Sequence, residues 1–140
     1  MSEQSRKLSF VEEDDVETQV FDWGRLAWLS EPLVTAAEKF SAGVVTVDPG
    51  QGHGLHNHPG REEIIYVISG KGMQVVEPES GREEREIGPG VLVHIPPGIY
   101  HSTVNTGNET MRVLVVYSPP GPEAEFRKMD GVTIEPPKRK

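Results

Sequence analysis

The chain has 140 residues, 22 acidic against 14 basic for a formal charge of −8, and no cysteine. This length fits one domain that buries roughly two-thirds of its unfolded surface, so no disulfide is needed, and the missing cysteine excludes thiolate chemistry and cysteine-held zinc or iron–sulfur centres. The acidic balance argues against a nucleic-acid partner; the polar start and apolar runs as short as Ile64–Ile68 and Val113–Tyr117 supply neither a signal peptide nor the ~20 residues of a membrane helix, so a soluble, cytoplasmic protein without a membrane partner is expected.

Residues 1–17 read as a flexible acidic arm containing Glu12-Glu13-Asp14-Asp15. Thr18–Trp23 and Arg25–Leu29 are predicted as short strands, and Ser30–Ala37 is ambiguous because Glu31-Pro32 favours a loop or one helical turn. Lys39–Val47 is a strand closed by Asp48-Pro49-Gly50. Gly50–Gly60 holds five Gly or Pro residues and three histidines, and is read as a shaped loop with a short extended piece. Strands follow at Glu62–Ile68, Met73–Glu77, Glu83–Ile87, Val91–Ile95, His101–Asn105 and Thr110–Tyr117, separated by Gly, Pro and Asn turns. Pro119-Pro120-Gly121-Pro122 ends the sheet, because proline cannot donate to a ladder. Glu123–Met129 is expected to form one or two helical turns before a tail. The reading is therefore a single all-β domain over residues 18–118, a sandwich or closed barrel, with a Pro-rich C-terminal segment and tail at 119–140.

Three of the five histidines fall in a pattern that a metal can use. His56 and His58 are two residues apart, the spacing at which a strand presents side chains to one face. Glu63 opens the next strand, and His101 follows the rigid Pro96-Pro97-Gly98 turn. Imidazole with carboxylate suits one divalent transition ion per chain, Fe, Mn, Ni, Zn or Cu, rather than Ca or Mg.

The stretch from Gly50 through His56, His58 and Glu63 to Gly70 resembles the first motif of the cupins: G, five residues, HxH, three or four residues, E, six residues, G. Taking Glu62 as the acid would leave the distance to Gly70 one residue too long. The stretch from Gly90 through Pro96, Gly98 and His101 to Asn105 resembles the second: G, five residues, PxG, two residues, H, three residues, N. Val91 stands where that opening glycine is often followed by Asp, which bears on the local turn. The resemblance implies a double-stranded β-helix, the jelly-roll cupin barrel, with His56, His58, Glu63 and His101 as metal ligands. It also suggests a homodimer packed through the N-terminal strands, where Phe21, Trp23, Leu26 and Trp28 offer apolar surface.

The function expected is a metal-binding cupin acting on a small oxygenated organic molecule, as a dioxygenase, isomerase or lyase in which the ion serves as Lewis acid or oxygen activator. The alternative is a non-catalytic small-molecule-binding or sensor cupin, since the fold alone names no activity. His94 and Tyr100 are the candidates for catalytic contact, and His53, between two glycines, is read as a surface residue. Ile65 and Val67 share the parity of Glu63 and should line the interior, with Tyr66 facing away.

Overall fold

The computed structural model describes residues 7–139. It is a jelly roll of two antiparallel sheets. The strands are β1 (Thr18–Phe21), β2 (Gly24–Ser30), β3 (Ser41–Val47), β4 (Gly52–His56), β5 (Glu62–Ser69), β6 (Gly72–Glu77), β7 (Glu83–Ile87), β8 (Leu92–Ile95), β9 (Tyr100–Asn105), β10 (Met111–Ser118) and β11 (Thr133–Glu135). The larger sheet runs β11-β1-β2-β3-β10-β5-β8, and the smaller runs β4-β9-β6-β7. No helix among the described residues is long and apolar enough to cross a membrane.

The inner face of the larger sheet follows from alternation. Ile65, Val67, Val113 and Val115 are all at most 4% exposed, while Tyr66 on the opposite parity is 40% exposed. The smaller sheet turns a more polar face inward. Buried Gln74 accepts a hydrogen bond from Thr103, and His101 and Asn105 are fully covered. An apolar wall therefore faces a polar one, and the cavity between them is where a small ligand can be held by a few placed groups.

Asn105 joins the last strand of the smaller sheet to the larger one. Its amide donates to the carbonyls of Val47 (3.0 Å) and Glu109 (2.8 Å), and its Oδ1 accepts from the Gly107 amide at 2.9 Å. Asn105→Ala strands these buried partners. It is expected to lower the unfolding free energy by about 2–3 kcal/mol in urea titration. A loss under about 0.5 kcal/mol, the range of an ordinary surface change, would remove this structural role.

The structure bears on three of these expectations. The ambiguous 30–37 segment contains one helical turn, α1 (Pro32–Thr35), opened by its proline and ended by Ala36 in the left-handed region at φ 63°. Among the described residues, parts of the expected arm and tail are tied to each other and to the sheet. Arg139 pairs with Glu12 (3.0 Å) and Asp15 (2.8 Å), and β11 adds to the larger sheet beside β1. Of the four apolar residues expected at a dimer contact, Leu26 and Trp28 are 2% and 1% exposed inside the chain's own core, while Phe21 and Trp23 stack on one another.

Candidate metal centre

Two hairpin ends bring the site together. In the β4–β9 pairing His56 stands opposite His101, and their rings lie 4.3 Å apart. His58 sits beyond the last residue of β4, so the two-residue strand spacing does not explain its position. A loop contact does. The Gly98 amide donates to the His58 carbonyl (3.2 Å), and the Asn57 side chain donates to the Gly98 carbonyl (3.1 Å). The two motif segments are thus tied at the turn that precedes His101, where Gly98 adopts φ 76°, a conformation glycine takes readily. Glu63 comes from β5, opposite Ile95 on one side and Tyr117 on the other, and alternation sends it inward while Glu62 faces solvent.

Ligand atoms of His56, His58 and His101 all lie within 4.8 Å of one another, a group that could hold a metal ion. Glu63 Oε1 is 2.9 Å from His101 Nε2 and 3.8 Å from His58 Nε2. Among the described residues four buried side-chain polar atoms have no hydrogen-bond partner, and three of them are His58 Nε2, Glu63 Oε1 and His101 Nε2. Buried polar atoms are seldom left so. The tautomers explain why these do not satisfy each other. His101 Nδ1 lies 2.9 Å from the Ile99 carbonyl and His56 Nδ1 lies 2.6 Å from the Gly54 carbonyl. A carbonyl only accepts, so each Nδ1 carries the proton and each Nε2 presents a lone pair. Lone pairs and a carboxylate oxygen then point at a common region, the donor set that a divalent cation requires.

Electrostatics agree with neutral imidazoles. Burial, reinforced by the neighbouring His56, His101 and His53 and by Arg61, pushes His58 down to about 3. Burial also lowers His56 and takes His53 down to about 4. Burial first, and then the adjacent Glu63 carboxylate, hold the Tyr117 hydroxyl well above its ordinary value, so it stays protonated. Deprotonated nitrogen is the form that binds a metal.

The other candidates separate cleanly. His94 is turned outward and pairs with Glu62 at 2.5 Å, half exposed, so it does not reach the cluster. Tyr100 is 50% exposed. Arg61 points away, to Glu125 (2.7 Å) and the Pro120 carbonyl. His53 moves the other way, from expected surface to cavity wall. A regular strand would send residues three apart to opposite faces. The register shift between His53 and His56 undoes this, and their rings lie 4.0 Å apart. Gly52 and Gly54 on either side of His53 were the sequence signal of such a bulge.

The cavity beside the candidate ligands is lined by Trp23, Val47, Ile65, Thr103 and Tyr117 among others. Part of its wall comes from beyond the sheet. Helix α2 (Pro122–Arg127) brings Phe126 edge-on to Phe21 and within 6.4 Å of the His58 ring. The buried Gln19 fixes α2 by donating to the Glu123 carbonyl (3.1 Å) while accepting from the Trp28 indole (3.0 Å).

Known proteins give the same outline. The cupin domain family matches residues 43–117. A glucose-6-phosphate isomerase of Thermococcus kodakarensis is 46% identical over 68 residues, 48% of this chain and 35% of that protein. An oxalate decarboxylase of Lactobacillus farciminis, solved as a formate complex, superposes with TM-score 0.69 at 27% identity over 74% of this chain and 31% of that one. The oxalate decarboxylase of Bacillus subtilis, studied for its Mn(II) centres, superposes with TM-score 0.63 at 25% identity over 69% of this chain and 26% of that one. The likeness thus covers about a third or less of each of these relatives. The matched span runs from Gly43 in β3 to Tyr117 in β10 and encloses all four converging side chains, and by it the chain belongs to the cupin family.

Proposed function

We propose that this chain is a metal-dependent cupin enzyme acting on a small oxygenated organic molecule, with His56, His58, Glu63 and His101 as the ligands of one divalent transition ion. The observation that carries this reading is the convergence of His58 Nε2, His101 Nε2 and Glu63 Oε1, buried and without hydrogen-bond partners. A bound ion supplies Lewis acidity toward a substrate oxygen, or dioxygen chemistry if it is iron. The protein's own part is orientation and exclusion of water. The Ile99 and Gly54 carbonyls fix two imidazole tautomers. Tyr117 keeps its hydroxyl proton beside Glu63, and Phe126 adds apolar surface to the cavity lining.

The isomerase and decarboxylases among the relatives favour isomerase- or lyase-type chemistry, and the Bacillus subtilis enzyme makes manganese the first ion to test. Protein produced with Fe, Mn, Ni, Cu and Zn supplied is expected to carry about one ion per chain by elemental analysis, as four converging donors imply. Content well below that with every ion would sink the proposal. Full occupancy with ligand binding but no turnover on any candidate would instead favour the non-catalytic sensor or binding module.

A further inference from the structure

The wall around the four converging side chains carries no compensating charge. Val47, Ile65 and Val113 supply apolar surface, and the polar side chains in the lining besides the candidate ligands are Trp23, His53, Thr103 and Tyr117. Among the described residues no lysine or arginine lines this cavity. The guanidinium of Arg61, two residues before Glu63, is committed to Glu125 and to the Pro120 carbonyl instead.

Charge counting then limits the ligand. Three neutral imidazoles and one carboxylate around a divalent ion leave one net positive charge. A singly charged oxygen ligand brings the enclosed group to neutrality. A dianion leaves one negative charge facing apolar side chains, and an uncompensated buried charge is costly. We infer that the site takes a singly negative oxygen ligand with an apolar body, such as a 2-oxo monocarboxylate or the enolate of a 1,3-diketone, and discriminates against dicarboxylates and phosphate monoesters. This rests on the ion site proposed above and goes further by naming the charge class of the ligand.

The test uses Mn(II) protein whose ion content has first been measured. Calorimetric titration at pH 7 compares 3-methyl-2-oxobutanoate with methylmalonate and with glucose 6-phosphate, each affinity divided by that of the same ligand for aqueous Mn(II). The ratio for the monoanion should exceed those for both dianions by at least about tenfold, a modest share of the several kcal/mol that an unpaired buried charge costs. His53→Arg, with Thr103→Lys as a second variant, places a cation in the wall and should narrow or reverse that preference. A chain that takes up no ion overturns the ion site and this inference together. A chain that takes up Mn(II) but binds methylmalonate as well as the monoanion, or whose preference is unmoved in both ion-bearing variants, overturns this inference alone.

Discussion

His101→Ala is expected to weaken divalent-ion binding by more than about a hundredfold, since changing groups one step removed from a metal ligand already costs 10–100-fold. His101 is 1% exposed, stands opposite His56 in the β4–β9 ladder, and is fixed by its bond to the Ile99 carbonyl. Glu63→Gln makes the sharper experiment, because the two readings of the site predict opposite signs. If Glu63 served only a structural hydrogen-bond network, its neutral amide would leave stability lower. If Glu63 faces imidazole lone pairs, as the distances of 2.9 and 3.8 Å to His101 and His58 indicate, the amide can donate where the carboxylate cannot. The metal-free variant should then be as stable as the parent or firmer by about 1 kcal/mol, the worth of one added hydrogen bond, while ion binding falls sharply. Differential scanning calorimetry with and without Mn(II) reads both effects. A variant that loses stability yet keeps its ion affinity would end the case for Glu63 as a ligand.

The four converging side chains were legible because their spacing is local. Each motif fixes a short segment whose turns are written in glycine and proline, and alternation along β5 alone separates Glu63 from Glu62. Contacts set by register between distant strands were not legible. Tyr117 meets Glu63 only because β10 pairs with β5 across 54 residues, and no local pattern encodes that offset. His53 was misplaced for the same kind of reason. The bulge that turns it inward is a property of the β4–β9 pairing, hinted at by the two flanking glycines but not determined by them. Phe126 and β11 lie beyond a proline cluster that ends the last long strand, and what the chain does next depends on tertiary contacts. The Gln19 bridge to α2 and the Arg127 pairs with Glu17 (2.7 Å) and Glu31 (3.0 Å) decide it. The burial of Leu26 and Trp28 was hidden in a related way: both are apolar in sequence, but only the fold says which surface covers them.

Acid is expected to destabilise the metal-free protein well before its carboxylates titrate. Burial takes His58 down to about 3 and His53 to about 4, against an ordinary value of 6.5. Above pH 6.5 neither the folded nor the unfolded chain protonates these rings, and they contribute nothing. Below it the unfolded chain binds protons that the folded chain refuses, so unfolding gains free energy as pH falls, until the folded rings themselves protonate near 3–4. At 1.36 kcal/mol per unit, and halved for partial solvent access and local relaxation, the two rings together should cost on the order of 3 kcal/mol between pH 6.5 and 4.5. Urea unfolding in chelator across that range should report about one proton taken up per unfolding event. Glu31, pushed up by burial, titrates with the opposite sign, so His53→Gln and His58→Gln are the controls and should flatten the slope. A profile already flat in the parent would mean that the rings are solvated and the pocket open. Adding Mn(II) should steepen the profile, because ion and proton compete for the same nitrogen lone pairs, and a folded state held by the ion excludes the proton more strongly than burial alone does.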